Sequence, residues 1–103
     1  MKHALTVLAS LAAALPLAAA AQTPFPNTGR DLAAACAICH GTDGRSQGGA
    51  PGLAGVAKEN IAKQMREFRD GKRPGTLMPQ LSKGYTDAQI DAVSAFFAAQ
   101  KAK

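Results

Sequence analysis

Between Lys58 and Asp70 the apolar side chains Ile61, Met65 and Phe68 recur at i, i+4 and i+7, with charged and amide residues in the gaps. That period predicts an amphipathic helix, which Gly71 and Pro74 stop. A second such pattern follows Thr86: Ile90, Val93 and Phe97 share one face, and Gln89 stands where it can complete a capping box with Thr86. A third helix is predicted from Gly29 to Ala37, with Thr28 as N-cap and Asp31 three residues on. Between these patterns, the glycine-rich stretch from Gly41 to Gly55, which carries Pro51, reads as loop, and so does Lys72 to Tyr85, which holds Pro74, Gly75, Pro79 and Gly84. Apolar and polar residues do not alternate over five residues anywhere, so strands are not predicted. The fold class is therefore all-α, with three principal helices separated by two long loops. Loops of that length inside a small domain usually carry function.

The N-terminus has a different pattern. Lys2 and His3 precede an apolar run from Ala4 to Leu17, and Ala19-Ala20-Ala21 supplies small residues before Gln22. This is the layout of a secretory signal, so residues 1–21 are assigned as signal peptide and 22–103 as one domain, exported to the periplasm. An uncleaved membrane anchor is the competing reading, because ~20 apolar residues span a bilayer. The alanine-rich, weakly apolar run and Pro16 near its end favour cleavage, and no later segment is apolar enough for stable membrane insertion. From Gln22 to Asn27, Pro24 and Pro26 make an extended lead-in.

Removing the signal changes the composition. The whole chain is 47% hydrophobic, yet from Gln22 onward Leu, Ile, Val and Phe account for only 13 of 82 residues. That is below the ~20% at which a charged chain fails to build a core, so something other than side chains must fill the interior. The same segment has 11 basic and 7 acidic residues, a net charge of +4. An exported chain does not meet nucleic acid, which leaves an acidic protein as the expected partner of this surface.

The candidate chemistry is concentrated in Cys36-Ala37-Ile38-Cys39-His40. Two thiols at this spacing near a helix end can each add across a haem vinyl group, while the adjacent imidazole serves as an axial ligand of the iron. A thioredoxin-like dithiol uses the same spacing but sits in a βαβ frame that this pattern lacks. A structural zinc needs four ligands, and after the signal only these three residues of the usual types remain. A Cys36–Cys39 disulfide would close too small a loop to stabilise much. One covalent haem c is the expected cofactor. For the opposite axial position the candidates are Met65, Met78, a lysine or no side chain at all. Met65 lies on the apolar helix face with Ile61 and Phe68, the place of a core residue. Met78 sits between Leu77 and Pro79 in a loop and is the better candidate. His/Met ligation saturates the iron and raises its potential, which points to one-electron transfer and not to catalysis.

These residues resemble a known family. Cys36-Ala37-Ile38-Cys39-His40, then Ala50-Pro51-Gly52-Leu53, then Leu77-Met78-Pro79 ahead of a C-terminal amphipathic helix, resemble a class I bacterial cytochrome c. More narrowly, residues 60–73 followed by Pro74-Gly75-Thr76 and by Lys83-Gly84-Tyr85-Thr86-Asp87 are similar to the cytochrome subunits of flavocytochrome c sulfide dehydrogenases and related small periplasmic cytochromes. The resemblance implies a fold of three principal helices with long loops wrapped around one covalent haem. It implies that the Pro51 carbonyl accepts the His40 Nδ1 proton, and that Gly29 meets Phe96, or else Phe97, where the first and last helices cross. It places Leu53, Ile38, Leu32, Leu77, Leu81 and Ile90 around the porphyrin, with Tyr85 nearby.

Lys63 with Glu67 and Arg66 with Asp70 are i,i+4 pairs of opposite charge. Arg69, Lys72, Arg73 and Lys83 have no such partner and are expected to form a basic rim that steers an acidic redox protein. The favoured function is electron transfer, as the haem subunit that accepts electrons from a flavoprotein sulfide dehydrogenase. A free soluble shuttle to a terminal oxidase or reductase is the alternative, and a haem-based sensor or enzyme is the alternative of another class.

Overall fold

The computed structural model describes residues 28–102, so the signal peptide and the extended lead-in lie outside the described residues. Among the described residues four α-helices appear in the order α1 (Thr28–His40), α2 (Lys58–Arg69), α3 (Met78–Ser82) and α4 (Asp87–Ala98), with one 3-10 turn (Thr42–Gly44) after α1. There is no strand among the described residues.

Helix α1 runs three residues beyond the predicted Ala37, because its alanines favour helix and nothing opposes it before Gly41. There φ is +81°, a value that suits glycine, and the Gly41 N–H closes the helix on the Ala37 carbonyl at 3.0 Å. Helix α2 starts at the predicted Lys58, ends at Arg69 with Asp70 as its C-cap, and buries Ile61, Ala62 and Met65. Helix α4 starts with the predicted box: the Gln89 N–H donates to Thr86 Oγ1 at 3.2 Å, and the Thr86 N–H donates to Gln89 Oε1 at 2.9 Å. It buries Ile90, Val93, Ser94 and Phe97.

Helix α3 corrects the expectation of a continuous loop over residues 72–85. Pro79, taken as a breaker, falls in the first turn of this helix, where a missing N–H costs nothing and a fixed φ favours the helix. Five residues are too few for a periodic pattern to show.

The chain crosses itself where α1 passes α4. A Cβ built on Gly29 would lie 2.5 Å from the Ala92 carbonyl oxygen and 3.3 Å from Phe96 Cβ. Phe96 is thus the ring at the crossing, while Phe97 is 1% exposed and packs edge-on against Phe96 with centroids 5.4 Å apart. Alanine at 29 would gain up to ~1 kcal/mol of helix propensity, but the clash is with backbone, which cannot swing aside, and overpacking costs about 1–3 kcal/mol. Valine adds two methyl groups to the same contact. Gly29→Val is expected to lower the melting temperature by roughly 5–15 °C, at 4–8 °C per kcal/mol for a domain of this size, as read by thermal circular dichroism.

The buried apolar core is small: Ala33, Ile61, Ala62, Met65, Ile90, Val93 and Phe97. Surface ion pairs tie α2 to α4. Arg66 reaches Asp87 at 3.1 Å and Asp91 at 2.7 Å, and Arg69 reaches Asp87 at 2.9 Å and Asp70 at 3.3 Å. Arg66 therefore spans two helices and does not pair with Asp70 along its own. The Arg69 and Arg66 guanidiniums hold the Asp87 carboxyl below the usual carboxylate range. The expected Lys63–Glu67 pair is present.

Candidate haem site

The last turn of α1 presents Cys36, Cys39 and His40. Both cysteines are free thiols, Cys36 half-buried and Cys39 exposed. The loop after α1 folds back toward them because the Leu53 and Ala54 N–H groups both donate to the Gly44 carbonyl, at 2.9 and 3.2 Å. This return sets the Pro51 carbonyl oxygen 2.7 Å from His40 Nδ1. A carbonyl only accepts, so the imidazole proton sits on Nδ1 and the Nε2 lone pair is left free.

A cavity of about 500 Å³ opens between this turn, α2, the returning loop and α3. Cys36, Cys39, His40, Pro51, Leu53, Met78 and Tyr85 all line it, together with Leu77 and Leu81. Met78 is the first residue of α3, so the short helix absent from the sequence reading is the element that sets its position. Met65 also faces the cavity and is 7% exposed, making it at once wall and core.

Three expected wall residues lie elsewhere. Ile38 is 87% exposed and borders a separate, open depression with Thr42 and Arg45. On α1 it is two residues from Cys36 and from His40, which turns its side chain away from theirs. Leu32 packs against the core from outside the cavity, and Ile90 is fully buried within the core. Sequence reasoning did not place Phe68 or Gln64 on the cavity wall and gave Arg73 only to the basic rim; all three line the cavity. The 3.6-residue period did mark Phe68 as inward-facing, but one apolar face of α2 serves both α4 and the cavity, and periodicity cannot divide it.

Burial pushes the Cys36 thiol up, partly offset by a hydrogen bond with the Tyr85 hydroxyl, and burial likewise raises Tyr85. Both groups are neutral at ordinary pH. The donor set of two thiols, an imidazole with a free Nε2 and a thioether, set in apolar walls, fits a haem. The volume falls within the ~300–1,000 Å³ of cofactor sites.

The expected basic rim is altered. Arg69 is committed to Asp87 and Asp70, and Lys83 Nζ lies 3.4 Å from Gln80 Oε1. Arg73 stacks over Phe68, 5.4 Å from the ring centroid, and pairs with Glu67 at 3.4 Å.

The family model described as "Cytochrome c" matches residues 27–101. The chain is 38% identical over 69 residues to the cytochrome subunit of sulfide dehydrogenase of Chlorobaculum tepidum, covering 67% of this chain and 63% of that one. It is 39% identical to cytochrome c4 of Pseudomonas aeruginosa, over 71% of this chain and 37% of that one. It is also 38% identical to a thiosulfate dehydrogenase electron acceptor of Stutzerimonas stutzeri, over 82% of this chain and 41% of that one. In each case the chain spans less than two thirds of the relative's length. The solved structure of cytochrome c4 from Acidithiobacillus ferrooxidans superposes with a TM-score of 0.64 at 33% identity, covering 70% of this chain and 49% of that one. A match over residues 27–101, which takes in all four helices of the described residues and the residues that line the cavity, makes the chain a member of the cytochrome c family.

Proposed function

We propose that the protein is a periplasmic cytochrome with a single covalent haem that accepts single electrons as the haem subunit of a flavoprotein sulfide dehydrogenase. Cys36 and Cys39 would hold the haem through thioether bonds, each thiol having added across a vinyl double bond with its proton going to the other carbon, and His40 and Met78 would ligate the iron. The observation that carries this reading is the meeting of Cys36, Cys39, His40 and Met78 on the wall of one largely apolar cavity.

The bound haem supplies a one-electron iron couple, and the chain supplies everything that tunes it. The Pro51 carbonyl, 2.7 Å from His40 Nδ1, fixes the ring plane and raises the basicity of Nε2. Pro79 restricts the backbone just after Met78 and so holds the thioether in place. Leu53, Ile61, Met65 and Phe68 line the cavity with apolar surface, which would shield a bound haem from water. With the iron held by both His40 and Met78, no open position would be left for a small molecule, which separates this reading from a sensor or an enzyme.

Periplasmic export is supported by the N-terminal pattern, and among the described residues no helix is long and apolar enough to cross a membrane. The subunit reading, over a free shuttle, is supported by the sulfide dehydrogenase relative and by the cavity mouth. There Leu77 and Leu81 flank Met78 on the cavity wall, and Arg69 is committed to ion pairs with Asp87 and Asp70. An apolar mouth suits a lasting contact more than a transient, charge-steered one. Purified from its native host by gel filtration at moderate salt, the protein is expected to co-elute with a larger flavin-containing chain. Leu77→Ser, with haem retained, should lose most of that partner. Elution of the unaltered cytochrome alone, near its own mass, would overturn the subunit reading.

A further inference from the structure

Between α2 and α3 the chain runs along the surface in an exposed segment that delivers Met78 to the cavity. Its start is tied to α2, where the Lys72 and Arg73 N–H groups both donate to the Glu67 carbonyl, at 2.8 and 3.2 Å. After that point no backbone N–H from Gly75 to Met78 donates to a backbone group among the described residues, and Pro74 and Pro79 have none to give. The two ends of the segment converge instead on one side chain, Phe68. The Arg73 guanidinium stacks over the ring, 5.4 Å from Cζ to the centroid. A Cβ built on Gly75 would stand 3.1 Å from Phe68 Cε1 and 3.1 Å from Pro79 Cδ. The φ of Gly75 lies outside the left-handed region, so what excludes a side chain there is space: the backbone is wedged between the ring and the first turn of α3. Phe68 also lines the cavity, as Met78 does. One ring therefore meets the segment on one side and the cavity on the other.

A segment with so few backbone hydrogen bonds is drawn from the low end of local stability, and packing decides whether it stays closed. We propose that Phe68 is a positioning residue for Met78: its ring is the seat on which residues 73–79 close, and without that seat the segment swings outward and carries the thioether away from the cavity. The proposal rests on the haem and Met78 readings above. Pro79 passes the contact on, since it is the chain neighbour of Met78 and its ring leaves the backbone between them little freedom. The contacts between the ring and Gly75 exist only in the closed form, so truncating the ring raises the open fraction. An outside ligand that competes with Met78 binds the open form alone, and its apparent affinity rises in proportion to that fraction.

The test is imidazole titration of the ferric, haem-loaded protein and four variants at one pH, read by loss of the far-red band of Met-ligated haem, with a thermal melt of each. Phe68→Ala is expected to bind imidazole at least about tenfold more tightly than the parent, and Phe68→Leu, which keeps apolar volume without the flat ring, to fall between the two. Gly75→Val leaves Phe68 in place and prises the segment off from the other side. It should tighten imidazole binding by about threefold or more, and it decides the matter should Phe68→Ala take up no haem. Gly29→Val loosens the α1–α4 crossing and lowers the melting temperature without touching the seat, so its imidazole affinity should stay within about twofold of the parent. The proposal is overturned if Phe68→Ala and Gly75→Val both stay within about twofold, or if Gly29→Val tightens imidazole binding as much as Phe68→Ala does. An unaltered protein without a haem spectrum, or without the far-red band, would remove the haem or the Met78 reading and this proposal with it. A normal spectrum, with imidazole affinity unmoved in the variants, would remove the Phe68 proposal alone.

Discussion

Replacing Met78 with alanine is expected to lower the reduction potential by on the order of 0.1–0.3 V and to open the iron to carbon monoxide. Axial ligands set haem potentials over ~0.8 V, and a thioether lies toward the upper part of that span because it favours the reduced iron. The alanine variant leaves its axial position to water or an exogenous ligand. Met65→Leu is the informative comparison. Both methionines line the cavity, but Met65 sits within the core cluster on α2, and leucine conserves its volume at a cost below ~1.5 kcal/mol. The potential and the far-red ferric band of Met-ligated haem should survive in Met65→Leu and vanish in Met78→Ala. The reverse pattern would transfer the ligand role to Met65.

The other large effect concerns stability. A Cys36→Ser/Cys39→Ser chain cannot hold haem covalently, and its far-UV and thermal signals are expected to be those of a largely unfolded protein. Among the described residues, seven buried apolar side chains, two of them alanine, make a thin core. Around them stand Leu53, Val56, Phe68, Leu77 and Leu81, whose contacts run into the cavity. At ~25 cal/mol per Å², every 100 Å² of such wall left against water forgoes about 2.5 kcal/mol. Domain stabilities are only ~5–15 kcal/mol in total, so a few such areas decide whether the chain folds. A cooperative thermal transition in the haem-free variant, close to that of the haem-loaded protein, would show that the side chains suffice.

How much of this was legible in the residues varies with the kind of information each carries. Helices α2 and α4 were, because period and capping are local: Ile61, Met65 and Phe68 on one, and the Thr86–Gln89 box on the other. The Cys36-x-x-Cys39-His40 motif was legible because the chemistry demands a fixed short spacing. Helix α3 was not, since Pro79 has opposite meanings inside a helix and at its start, and only tertiary context selects between them. The division of apolar residues between core and cavity was also hidden. Ile90 and Leu53 look alike in sequence, yet one is fully buried between helices and the other borders the cavity. The charges were misread where partners lie far apart along the chain: Arg66 and Arg69 reach Asp87 across about twenty residues, beyond any i,i+4 rule. The Gly29–Phe96 crossing and the His40–Pro51 geometry had no signal in periodicity, and resemblance to a family supplied both.

The central claim is that this cavity holds one haem through two thioether bonds to Cys36 and Cys39. Mass spectrometry of the purified protein under denaturing conditions tests it most directly. The account predicts a mass equal to polypeptide plus one haem, retained after unfolding, with the added mass mapping to the fragment that contains Cys36 and Cys39. A bare polypeptide mass, or a haem released on denaturation, would contradict it.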